Sequence, residues 1–267
     1  MKSLPIDDLQ RLWHEAESIG YGNLEQAWKK IVRDLAAMLD CPGGGCATLF
    51  HRDAPNSGIY GGWQLVCSLD EGADYATRNS IERAWSARSE AARAACIQML
   101  FESAGTLRVM SALAIESHVF RSVEEPDDHL IERHGYSDRI IGVYALGPST
   151  EVHIHFDRRV DQRPFDEAAR VLFEVALAGL GRLCRWLALS YGVNSEGNPL
   201  SARDRELLNV LLQGSSEKQI AAQMGLTPGS LHQRVVRLYR RFGVSGRAEF
   251  MALWLAPNVE RRSIGAQ

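Results

Sequence analysis

The stretch from Leu200 to Val244 constrains this chain most, because it carries the start and stop signals of three short helices in quick succession. Ser201 suits an N-cap, with Asp204 three residues on and Leu207, Leu208, Leu211 and Leu212 behind it. Gly214, which tolerates left-handed backbone, stops that helix. Ser216 opens the second helix with Gln219 where a capping box needs it, and Gly225 closes it. Thr227 caps the third, and Pro228 falls in its first turn, where a missing N–H costs nothing.

The third helix directs the functional reading. Leu231, Val235, Leu238 and Phe242 recur at i, i+4, i+7 and i+11, which makes one apolar stripe. Opposite lie His232, Gln233, Val236, Arg237 and Arg240, with Arg234 and Arg241 on a flank. That outer face holds cations, an amide and an imidazole, and no carboxylate. A basic helix alone is usually a solvated face. Two capped helices ahead of it, at helix-turn-helix spacing, favour instead a helix that enters a major groove.

The segment resembles the LuxR-type, or GerE-like, helix-turn-helix of bacterial transcription factors. That family writes L-T-x-R-E-x-E-V-L, then G-x-S-N-K-E-I-A, then L-x-I-S-x-x-T-V-K-x-H, then I-x-x-K-L-x-V-x-x-R. This chain has Leu200-Ser201-Ala202-Arg203-Asp204-Arg205-Glu206-Leu207-Leu208, then Gly214-Ser215-Ser216-Glu217-Lys218-Gln219-Ile220-Ala221. Met224-Gly225-Leu226-Thr227 and Ser230-Leu231-His232-Gln233-Arg234 follow, and Leu238, Arg241-Phe242, Val244 and Arg247 complete the match without a gap. His232 stands where the family usually has Lys, and Arg234 where it has His, so sequence preference does not carry over with the fold. The resemblance implies double-stranded DNA, a homodimer and RNA polymerase as partners. It places His232, Gln233 and Val236 over base edges, with Gln233 suited to adenine and Val236 to a thymine methyl. Lys218, Ser230, Arg237 and Arg240 fall on phosphates, which position without specifying. Thr227, Arg234 and Arg241 lie at the margin of that surface. A fourth helix over 246–256 puts Ala248, Met251, Ala252 and Leu255 on one face, which in the family mediates dimer contact.

Charge is divided to match. From Asn198 to Arg262 there are ten Lys or Arg against five Asp or Glu, a net +5, and the rest of the chain carries −8. A basic module on an acidic body suits a protein that grips DNA with one end. The 267 residues suffice for two modest domains. No apolar run approaches the roughly 20 residues of a membrane span. The acidic, polar start is unlike a secretory leader. Five cysteines without framework spacing favour reduced thiols and a cytoplasmic setting.

The N-terminal part reads as α+β. Leu9, Leu12, Trp13 and Ala16 make one helical face; a second helix, capped by Asn23, carries Ala27, Ile31, Leu35 and Met38. After the break at Pro42–Gly45, strands are expected over 46–51 and 59–69, a long helix over 76–103 and a short helix over 126–133. Residues 106–115 read equally as strand or helix. Strands over 139–146 and 151–156, split by Gly147-Pro148-Ser149, should pair antiparallel. One helix over 165–189 follows, with Val171, Val175, Ala178 and Leu183 as core candidates. His134, Gly135, Asp138, Arg159, Pro164 and Phe165 resemble a GAF- or PAS-like sensory domain, which implies an antiparallel sheet with helices. The expected layout is a sensory or dimerisation domain at 1–191, a linker at 192–199, an all-α four-helix DNA-binding domain at 200–257 and a tail at 258–267.

No catalytic constellation emerges: G-x-S-x-G and H-E-x-x-H are absent. Asp127, Asp128 and His129 read as a hydrophilic loop or helix start, and Asp7-Asp8 precedes a helix, unlike a phospho-receiver. His153 and His155 alternate on a strand, and polar-out alternation accounts for them without a metal. Cys41 and Cys46 flank a glycine turn, and Gly43–Gly45 lacks the Lys of a P-loop, so neither metal nor nucleotide cofactor is expected. Tyr60, Trp63, Tyr75 and Trp85 could line a pocket for an unidentified small molecule, or could serve as ordinary core aromatics. An acyl-lactone-binding domain would place an Asp-Pro pair after them, and the chain has none. The N-terminal domain is thus either a small-molecule sensor or a ligand-free dimerisation or docking platform.

Overall fold

Alternation along one strand, Val152, Ile154 and Phe156 against Glu151, His153 and His155, sets the architecture of the N-terminal half. The computed structural model describes residues 4–18, 24–41, 45–51, 63–68, 105–115, 136–147, 150–192 and 200–255, with residues 89, 91, 95, 98 and 99 in between. The chain divides into two compact units, one running to Cys184 and the other starting at Arg185.

The first unit holds α1 (Ile6–Ser18), α2 (Leu24–Met38), β1 (Cys46–His51), β2 (Trp63–Ser68), β3 (Arg108–Ser111), β4 (Tyr136–Ala145), β5 (Thr150–Arg159) and α3 (Glu167–Ala178). α4 (Gly181–Tyr191) begins in this unit and ends in the next. The strands form one sheet in the order β2-β1-β5-β4-β3 with every pair antiparallel. This is the expected α+β class. The ambiguous segment holds both: Arg108–Ser111 is a strand, β3, where Val109 and Met110 pair with Gly142 and Ile141 on β4, and residues 112–115 are helical.

Val152, Ile154 and Phe156 are fully buried, each contributing roughly 1.5–3 kcal/mol by burial. Phe156 meets Phe173 of α3 edge-on at 5.3 Å. Gly142 makes room for that ring: a Cβ there would lie 2.5 Å from Phe173. Asp138, the acid of the sensory-domain resemblance, is buried and accepts from Ser111 Oγ (2.8 Å), the Arg139 amide (2.8 Å) and the Phe165 amide (3.2 Å). It thereby ties β3, β4 and the entry to α3 together.

Three expectations are corrected. The single helix expected over 165–189 is two helices broken at Gly179-Leu180. The ring of Trp13 occupies the space beside Gly179, where a Cβ would meet it at 2.1 Å, and Trp13 Nε1 donates to Ala176 O (2.9 Å), a carbonyl freed at the end of α3. The buried face of α3 is Ala169, Phe173, Ala176 and Leu177; Val171 and Val175 are only half-buried and Ala178 is exposed. α3 is apolar on most sides, so spacing does not single out a face, and the bulk of Phe173 decides it. Third, β5's polar side is not solvated: Glu151 and His153 are buried. Most of the long helix over 76–103 and all of the short one over 126–133 lie outside the described residues; positions 91, 95, 98 and 99 are helical.

Among the described residues of the second unit every regular element is a helix: the end of α4, then α5 (Ala202–Leu212), α6 (Glu217–Gln223), α7 (Pro228–Arg241) and α8 (Arg247–Leu255). Leu207, Leu208, Leu211, Ile220, Leu231, Val235 and Leu238 are buried together with Phe250 and Trp254 of α8. Phe250 packs against the rings of Tyr239 (5.5 Å) and Phe242 (5.2 Å). Both ends of the bundle are closed by side chains. Arg247 donates to Ser215 O (2.7 Å) and to Leu211 O at the end of α5. Trp186 Nε1 donates to Trp254 O (3.0 Å) and Arg185 to Leu253 O, which satisfies carbonyls left over at the end of α8. Among the described residues no helix is long and apolar enough to cross a membrane.

Candidate nucleic-acid interface

The caps read from the sequence form. Ser201 Oγ accepts from the Asp204 amide (3.2 Å). Ser216 and Gln219 satisfy each other, with Ser216 N donating to Gln219 Oε1 (2.9 Å) and Gln219 N to Ser216 Oγ (3.4 Å). Thr227 Oγ1 accepts from the Ser230 amide (3.2 Å). Gly214 (φ +90°) and Gly225 (φ +63°) hold the left-handed turns after α5 and α6. These devices fix where α7 begins, and so which residues lie on its outer side.

On α7, Leu231, Val235 and Leu238 are buried and Phe242, at its end, is half-buried. His232, Gln233, Arg237 and Arg240 are exposed along one side, with Val236 half-buried among them. Lys218 on α6 and Ser230 at the start of α7 are also exposed. Donors and one methyl-bearing side chain therefore share a face that a groove can meet. Arg234 turns the other way, its Nη1 3.7 Å from Asp204 Oδ1 of α5. Arg241 is half-buried, and burial pushes its pKa below the ordinary value, which Asp204 partly offsets. Thr227 is occupied as the cap. The outer face of α7 has no carboxylate of its own, yet Glu217 of α6 supplies one, its Oε2 3.2 Å from His232 Nδ1.

α8 leaves Ala248, Ala252 and Leu255 exposed and Met251 half-buried, while Phe250 and Trp254 hold the opposite side to the bundle. The two aromatics stand at i and i+4, a spacing that marks the buried side from sequence alone.

In the first unit, Tyr60, Tyr75 and Trp85 of the aromatic group lie outside the described residues, and Trp63 opens β2 opposite Phe50. Asp127, Asp128 and His129 also lie outside them. His153 belongs to a buried network rather than a solvated pair. Glu151 accepts from Arg108 Nη1 (2.8 Å) and Nη2 (3.0 Å) and from the Gly105 amide (3.2 Å), and lies 3.0 Å from His153 Nε2. Burial raises the Glu151 pKa, but His153 and Arg108 outweigh it and hold the carboxyl at about 2. Burial lowers the pKa of His153 against the pull of Glu151. Cys41 is buried, which pushes its thiol up to about 11 and leaves it poorly reactive.

Three capped helices presenting a cationic, carboxylate-poor side of the third define a helix-turn-helix DNA reader. Residues 198–253 match the model of the family described as "Bacterial regulatory proteins, luxR family", so the C-terminal unit carries a LuxR-family helix-turn-helix. The same region is 45% identical over 53 residues to "Probable transcriptional regulatory protein NarL" of Mycobacterium tuberculosis, covering 20% of this chain and 24% of that protein. It is 38% identical over 52 residues to "Transcriptional regulatory protein UhpA" of Escherichia coli, covering 20% of this chain and 26% of that one. The chain thus spans about a quarter of the length of the curated relatives it matches. Among solved structures, "SdiA in complex with octanoyl-rac-glycerol" aligns over 95% of this chain and 96% of its own, at 10% identity and a TM-score of 0.47. A crystal structure of Escherichia coli SdiA aligns over 94% and 97%, at 10% identity and a TM-score of 0.45.

Proposed function

We propose that the protein is a transcription regulator that binds double-stranded DNA as a homodimer and recruits or obstructs RNA polymerase. The observation that carries this reading is the outer side of α7, exposed and cationic while Leu231, Val235 and Leu238 anchor it from behind. In the groove, His232, Gln233 and Val236 face base edges, and Lys218, Ser230, Arg237 and Arg240 hold phosphates. Ala248, Met251, Ala252 and Leu255 of α8 form the two-fold contact, which spaces half-sites about one helical turn apart.

Two substitutions test the assignment. Gln233→Ala costs roughly 1–3 kcal/mol at one base pair and relaxes preference there. Arg237→Ala weakens all sequences alike and flattens the dependence of log K on log salt by about one unit. Binding-site selection and salt titration on both variants check this, and identical behaviour of the two refutes the sorting.

The N-terminal unit, in this reading, senses a small molecule in the cytoplasm and passes the signal through a linker at 192–199. Its antiparallel sheet packed by helices is what the sensory-domain resemblance implies, and Trp63 lies on that sheet. A second reading makes the unit a ligand-free dimerisation or docking platform. The network around Glu151 favours it, since its carboxylate is already engaged by Arg108 and His153. A thermal-shift screen against metabolite pools separates the two, because a true ligand stabilises the folded state by mass action.

A further inference from the structure

We propose that Glu217 is a positioning residue that sets which base His232 selects; the inference rests on the reading of α7 as the groove helix. Glu217 comes from the first turn of α6, yet its carboxylate reaches His232 on the outer side of α7, with Oε2 3.2 Å from Nδ1. Both side chains stay partly exposed, 43% for Glu217 and 66% for His232, so the pair lies on the surface that the DNA covers. The start of α6 does not require this carboxylate, because Ser216 and Gln219 already form a complete capping box.

A carboxylate only accepts, so Nδ1 must be the donor in this contact. The neutral ring then turns a lone pair on Nε2 outward. In the major groove the bases that offer a hydrogen to such an acceptor are adenine, through N6, and cytosine, through N4. Guanine and thymine present acceptors there. The lysine that LuxR-type modules usually carry at this position can only donate, which favours guanine. Glu217 and His232 together therefore reverse the hydrogen-bond polarity read at one base of each half-site.

The test is binding-site selection by the full chain at pH 8, with the wild type, Glu217→Gln, Glu217→Asp and His232→Ala. The wild type favours adenine or cytosine over guanine at one position by roughly threefold to tenfold. His232→Ala flattens that position. Glu217→Gln, whose amide can donate to Nδ1 and leave the proton on Nε2, flattens it or turns it to guanine, and other positions stay as in the wild type. Glu217→Asp keeps the charge but falls short of the ring, and loses the same preference. A position that His232→Ala flattens but both Glu217 variants retain overturns the proposal. So does guanine at that position in the wild type, or a Glu217→Gln effect spread evenly over all positions. If His232→Ala flattens nothing, the base-contact assignment of His232 fails first and this inference falls with it.

Discussion

Replacing Glu151 with Gln should unfold the N-terminal unit more readily than any single loss of surface charge. Arg108 on β3 stands in register with Val143 of β4, and Val143 with His153 of β5, so the guanidinium crosses β4 to reach Glu151, which pairs with the small Ala145. Its side chain is 10% exposed and that of Glu151 1%. Gln keeps the shape but removes the charge and turns an amide N–H toward Arg108 or His153, which are both donors here. The buried ion pair between Arg108 and Glu151 is broken, which costs about 3–5 kcal/mol. For a unit of this size each kcal/mol moves the melting temperature by about 2–4 °C, so the loss is roughly 6–20 °C. Thermal unfolding of the full chain, followed by near-ultraviolet circular dichroism, should show the N-terminal transition falling. The double variant Arg108→Met, Glu151→Leu should recover part of that loss, since an apolar pair of similar volume needs no counter-charge, while His153 Nε2 and the Gly105 amide still lose their acceptor. A loss under about 1 kcal/mol for Glu151→Gln, or a double variant no better than the single, would refute the argument.

The same network fixes a pH dependence: the folded-state pKa of Glu151 lies at about 2, below its ordinary 4.5, and that of His153 lies below its ordinary 6.5, so the unfolded chain binds more protons. Stability should therefore fall as pH drops below about 6.5 through His153, and further from about 4.5 through about 2 as Glu151 protonates, measured by urea midpoints across that range. Thr227→Ala removes the acceptor of the Ser230 amide and should cost about 1 kcal/mol in the C-terminal unit, read by its own melting transition. Gly142→Ala places a methyl group against Phe173 and Leu177 and should cost about 1–3 kcal/mol by overpacking; an unchanged urea midpoint would contradict the packing described for α3.

What could be seen in advance followed the strength of local signals. Ser201, Ser216 and Thr227 act within three residues of themselves, so the helices of the C-terminal unit are written in short range and were readable. β4 and β5 are strand-like runs with only the turn residues Gly147-Pro148-Ser149 between them, which makes their pairing readable too. The break at Gly179 was not, because it depends on Trp13, far away along the chain, and α3 itself offers apolar residues on most sides. The burial of Glu151 and His153 was hidden for a similar reason: a polar residue in alternation looks solvated until a distant arginine is brought to it by a neighbouring strand. Glu217 carries no signal in the sequence, because its partner His232 sits on another helix and no periodicity within α6 or α7 connects the two.

Arg185 and Trp186 finish α8, although both precede the 198–253 segment that the family defines. The interchangeable part of this molecule is therefore larger than the motif that identifies it. A fragment begun at the motif would leave the last carbonyls of its final helix bare and the indole of Trp186 missing from beside them. Grafting this helix-turn-helix onto another N-terminal domain means moving the tail of α4 with it, and chimeras joined inside that tail should inherit a frayed end.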